Sequence, residues 1–115
     1  MECGSAGLIL DRAQLRNVTL NDEALMREVV LALVNAVSEQ IEHLRLAAAR
    51  DDGKECLRLA HGLVGACGNV GAVSLAGLFA AMERQVIAGD FQSGRSTVES
   101  LTVELEKLRR EAGSL

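Results

Sequence analysis

An all-α fold, an antiparallel four-helix bundle with a short additional N-terminal helix, is what the sequence predicts, and three observations predict it. The 115 residues contain no proline and only 2% aromatic side chains, so no ring interrupts a helix and aliphatic side chains must fill the core. Four long segments repeat apolar residues in steps of three and four, the period of one helix face. Short connections separate them, which sets neighbouring helices antiparallel. No strand-like alternation, internal repeat or low-complexity tract competes. The length suits one domain with one modest core, assigned to residues 8–115. Residues 1–7, a head of mostly small side chains, are expected to be flexible.

The elements follow in order. A short helix opens near Asp11, a good N-cap, and includes Leu15. The long second helix starts at Asn21 or Asp22, with Glu23 placed to complement its dipole. Its stripe is Met26, Val30, Leu33, Val37, Ile41, Leu44 and Ala48. The third helix covers 52–70 and opens at Asp52 with Glu55 three residues on, a capping-box spacing. Its stripe is Cys56, Leu59, Ala60, Leu63, Ala66, Cys67 and Val70, and Gly68-Asn69-Val70-Gly71 reads as the turn that ends it. The fourth, near Ala72 to Ala88, carries Leu75, Leu78, Phe79, Met82 and Val86 and stops at Gly89, followed by Asp90. The fifth runs from about Ser93 to Glu111 on Val98, Leu101, Leu105 and Leu108. Lys107, Arg109 and Arg110 in its last turns suit the negative end of the dipole.

Composition excludes several functions. A net charge of −4 with mixed signs lacks the basic face a nucleic-acid partner requires. No apolar run approaches the ~20 residues of a membrane span. Leu8-Ile9-Leu10 lacks the basic leader and the length of a signal peptide. Cys56 and Cys67 lie about 16 Å apart along one helix, too far to bridge, and Cys3 sits in the head. Unpaired thiols and no export signal point to the cytoplasm.

One residue is out of place. At about 100° per residue, His61 falls about 165° from the centre of the third helix's stripe and should face solvent. Gly65 and Gly68 share that exposed face, with Lys54 two turns back and Arg58 nearly one turn back. Glycine costs roughly 0.5–1 kcal/mol in a helix interior, so two beside one imidazole suggest that something must approach the ring closely. A neutral imidazole is a nucleophile able to carry a covalent intermediate. The local face offers no Ser, Asp or Glu to orient it as a triad would. A metal site is equally unsupported, because Cys56 and Cys67 face the core and His43 lies on another helix, a flank residue with no assigned role. The glycine series at 62, 65, 68 and 71 lies within and at the end of a helix, unlike a phosphate-binding loop that precedes one. His61 is therefore expected to receive a group from a partner that supplies the rest of the site.

Ala60-His61-Gly62-Leu63-Val64-Gly65, then Gly68-Asn69-Val70-Gly71-Ala72, then Leu75, Leu78 and Met82-Glu83, resembles the signature of histidine phosphotransfer (HPt) domains. That signature reads Ala-His-x-Leu-Lys-Gly, a Gly-Ala pair, and spaced leucines ending in Leu-Glu. Leu10-Asp11, Leu44 with the stretch from Ala47 to Asp52, and Gly89-Asp90 extend the likeness to nearly the whole chain.

The resemblance implies a monomeric phosphorelay intermediate. His61 would accept a phosphoryl group from a receiver-domain aspartate and pass it to another, its partners being receiver domains of response regulators or a hybrid histidine kinase. It would be a phosphoryl carrier and no enzyme, with Mg²⁺ and the remaining catalytic groups on the partner and no cofactor of its own. Gly65 would leave room for the receiver's active site. Where the family has lysine, this chain has Val64. Lys54 and Arg58 are the cations available in its place, Arg58 being nearer and longer. Leu57 and Val64 then form apolar docking flanks. Two other readings use the same residues: a module that docks receivers without efficient transfer, motivated by Val64, and a purely structural helical bundle.

Overall fold

A computed structural model of the chain describes residues 8–115. The expectations of a flexible head and of Cys3 within it lie outside the described residues. Among the described residues five helices follow one another: α1 (Arg12–Val18), α2 (Glu23–Ala49), α3 (Gly53–Val70), α4 (Val73–Ile87) and α5 (Phe91–Ala112). The long four close an antiparallel square in which α2 packs on α3, α3 on α4, α4 on α5, and α5 back on α2. The short α1 lies across α2 and α3. The predicted architecture is the observed one.

Local chemistry starts every described helix but α4, whose N-cap Ala72 makes no side-chain hydrogen bond. Asp11, Asp22, Asp52 and Asp90 are N-caps whose carboxylates accept from the backbone N–H three residues on, at 3.1–3.2 Å. Three of these were legible as helix starts. The fourth, Asp90, begins α5 two residues earlier than predicted, because Gly89-Asp90 is at once the stop of α4 and the start of α5. The capping box at α3 is half made. Asp52 caps Glu55, but the Glu55 side chain turns to Arg58, while the Asp52 N–H donates to the Ala47 carbonyl.

The predicted turn at 68–71 is shorter than its sequence suggests. Gly68, Asn69 and Val70 complete the last turn of α3, and only Gly71 is left-handed, at φ +96°. The Ala72 N–H reaches the Cys67 carbonyl at 2.8 Å and the Gly71 N–H reaches that of Gly68 at 3.2 Å, a Schellman closure. A β-carbon on Gly71 would stand 2.7 Å from the Asp11 carbonyl oxygen, and the Gly71 carbonyl itself accepts from the Asp11 N–H at 2.8 Å. This one glycine joins α1 to the end of α3.

The core is the union of the helix stripes. All seven predicted α2 positions are buried, joined by Val34 and Ala47. Phe79, Met82, Leu44, Leu101 and Leu108 are fully enclosed. Leu78 is only half-buried. Ala66 corrects the α3 stripe: it is exposed, and Val70 is half-buried. Cys56, Ala60, Leu63 and Cys67 define the centre of the buried arc, and Ala66 lies about 90° off it, too far for one methyl to reach inward. Among the described residues no helix is long and apolar enough to cross a membrane.

Candidate functional site

With the buried arc of α3 turned to α2 and α4, the opposite face is open to solvent, and His61 stands on it with 83% of its side chain exposed. Lys54, Arg58, Gly65 and Gly68 are exposed on the same face, and Leu57 and Val64, seven residues apart, are half-buried along one of its flanks. An added β-carbon at Gly62, Gly65 or Gly68 would meet nothing within 4 Å. Packing among the described residues therefore gives no reason for glycine at these places.

The imidazole is held from the neighbouring helix. His61 Nδ1 lies 3.1 Å from Glu83 Oε2, and Glu83 on α4 is 24% exposed. A carboxylate offers acceptors only, so Nδ1 carries the hydrogen and donates it to Glu83. In the neutral ring the lone pair is then on Nε2, the free nitrogen of an exposed side chain. This corrects the expectation that no acid accompanies the histidine. The acid is absent from α3 but supplied by α4. Glu83 follows Met82, so on the helix wheel it sits about 70° from the centre of the buried stripe, on the flank that adjoins α3. The signal that could have found it is the Met82-Glu83 pair itself, read from the sequence only as the end of a motif.

The cations are arranged differently from one another. Arg58 is 67% exposed and forks onto Glu55: Nε donates to Oε1 and Nη2 to Oε2, both at 2.7 Å. Those hydrogen bonds hold the Glu55 carboxyl below its usual range. In this structure Arg58 thus faces the start of α3, away from His61. Lys54 has no ion-pair partner among the described residues. His43 is exposed on α2.

The two described cysteines are free and buried. Burial pushes the Cys67 thiol up to about 12 and raises that of Cys56, so neither is a thiolate nucleophile near neutral pH. Among the described residues no group of three His, Cys, Asp or Glu side chains could hold a metal ion. A cleft of about 400 Å³ lies at one end of the bundle, lined by Arg12, Arg16, Asn21, Glu23, Met26, Ser114 and Leu115, with no part of the His61 face in it. The His61 face is thus an exposed surface on which one imidazole is oriented by Glu83, its Nε2 turned to the open side.

The profile of the Hpt domain family matches residues 28–111, which include His61, Glu83 and most of the four long helices. The crystal structure of histidine-containing phosphotransfer protein B (HptB) from Pseudomonas aeruginosa PAO1 superposes with a TM-score of 0.84. It is 23% identical in sequence, and the match covers 94% of each chain. At that identity the likeness is one of fold. No curated protein matches the chain.

Proposed function

From the premise that this chain belongs to the Hpt domain family, we propose that it relays a phosphoryl group between receiver-domain aspartates, carried on His61. Members of the family are phosphoryl carriers in two-component signalling, and their partners are receiver domains and histidine kinases. The observation that carries the proposal is the pairing of Nδ1 with Glu83, which leaves Nε2 as the exposed nucleophile.

In this reading the Nε2 lone pair attacks the phosphorus of a receiver's aspartyl phosphate. The P–O bond to the aspartate breaks, and the carboxylate leaves. Forming the N–P bond places positive charge on the ring, and Glu83 stands at Nδ1 to stabilise it. The reverse attack by a second receiver's aspartate restores the free imidazole. Phosphoryl transfer asks mainly for positioning and charge stabilisation, so a docked partner can bring the metal and the remaining groups. Gly65 and Gly68 allow its close approach, Leu57 and Val64 give it an apolar flank on one side, and Lys54 and Arg58 supply the nearby positive charge. We place the protein in the cytoplasm as a monomer, a reading supported by two unpaired, buried thiols.

Incubation with a ³²P-phosphorylated receiver and Mg²⁺ tests the assignment. Label is expected on the wild type and absent from His61→Gln. Equal labelling of both would remove His61 from the role.

A further inference from the structure

Resting on the carrier reading above, we propose that Arg58 is a phosphoryl-binding cation held in reserve by Glu55, which it leaves for the phosphoryl group when His61 reacts. The side chain that could do this from position 64 is absent, since Val64 is apolar and half-buried. The cation that remains closest along α3 is already occupied, its guanidinium held by two parallel hydrogen bonds to Glu55.

Geometry permits the exchange. Side chains three apart on a helix have β-carbons about 5–6 Å from each other, within an arginine's length. Helical side chains also lean toward the N-terminus. The His61 ring therefore leans back over the turn that holds Arg58, while Arg58 leans toward Glu55. A rotation about the arginine's outer torsions carries the fork from one anion to the other. Both groups are largely exposed, with Arg58 at 67% and His61 at 83%, so the movement buries and uncovers little.

Charge gives the exchange its direction. A phosphoryl group carries about −1.5 to −2 with three acceptor oxygens, against −1 and two oxygens on Glu55. Arginine's planar fork suits both. The released Glu55 stays in the first turn of α3, where the helix dipole favours an anion. Glu83, the acid beside the ring, is on α4 and is engaged at Nδ1, leaving the Nε2 side to the cation.

The test needs no partner protein. Potassium phosphoramidate charges an accessible histidine: Nε2 attacks phosphorus, the P–N bond breaks, and ammonia leaves. Charging rates followed by ³¹P NMR are compared for the wild type, Glu55→Gln, Arg58→Gln and the double variant, with His61→Gln as the floor. Freed from its carboxylate, Arg58 should speed charging in Glu55→Gln by roughly two- to fivefold, the scale of one exposed ion pair. Arg58→Gln should be slower than the wild type, and the double variant should match it. A gain in Glu55→Gln that persists without Arg58 would be a field effect of the lost carboxylate and would overturn the proposal, as would no gain at all. A wild type that charges no faster than His61→Gln would instead sink the carrier reading itself.

Discussion

At the scale of single residues, the imidazole proposed as the nucleophile is paired with an acid on α4. Glu83 fixes which nitrogen of His61 carries the hydrogen, and it offers charge as well as an acceptor. Two substitutions separate these contributions. Glu83→Gln keeps an oxygen that can accept from Nδ1 but removes the charge, whereas Glu83→Ala removes both. We expect transfer from a phosphorylated receiver to fall about tenfold in Glu83→Ala, a loss near 1.4 kcal/mol of transition-state stabilisation, with Glu83→Gln intermediate. The ¹⁵N shifts of the His61 ring should show the Nδ1–H form losing population in Glu83→Ala. Unchanged shifts and an unchanged rate would reduce the pair to a surface contact.

At the scale of elements, the helix ends decide the geometry, and Gly71 is the most constrained of them. It is left-handed at φ +96°, and a β-carbon there would press on the Asp11 carbonyl oxygen at 2.7 Å. Gly71→Ala combines backbone strain with that clash, so we expect a loss of about 2–3 kcal/mol in urea unfolding. Hydrogen exchange should locate the damage in α1 and the end of α3. A loss below about 0.5 kcal/mol would mean that α1 docks by other means. These ends also show what a sequence can display. Asp11, Asp22 and Asp52 were legible because a cap is a bond between near neighbours. Asp90 was misjudged because one short segment serves two helices. Ala66 was misassigned because periodicity gives a direction but not the depth a methyl can reach. His61 was legible as an exposed, glycine-flanked residue, while its partner was hidden: Glu83 is 22 residues away and belongs to another helix. Arg58 was legible as a cation on the right face, but not its capture by Glu55, since either neighbour suits it by spacing.

At the scale of the whole molecule, core and site are separate investments of the same helix. One face of α3 fills the bundle with Cys56, Leu59, Ala60, Leu63 and Cys67. The other carries His61 among glycines whose missing side chains nothing among the described residues replaces. A helix interior with Gly62, Gly65 and Gly68 is less stable than one with alanine by roughly 0.5–1 kcal/mol at each position. Because an added β-carbon at Gly65 meets no atom within 4 Å, Gly65→Ala should raise stability by about that amount, and the melting temperature by about 2–6 °C. The same methyl would stand beside the imidazole, where in the proposed relay a receiver's active site arrives. Transfer from a phosphorylated receiver should therefore slow while the isolated protein becomes harder to unfold. A more stable Gly65→Ala that transfers at the wild-type rate would show that the open face is not shaped by a docking partner. A slower one would show that the chain is less stable than it could be in order to keep that face open.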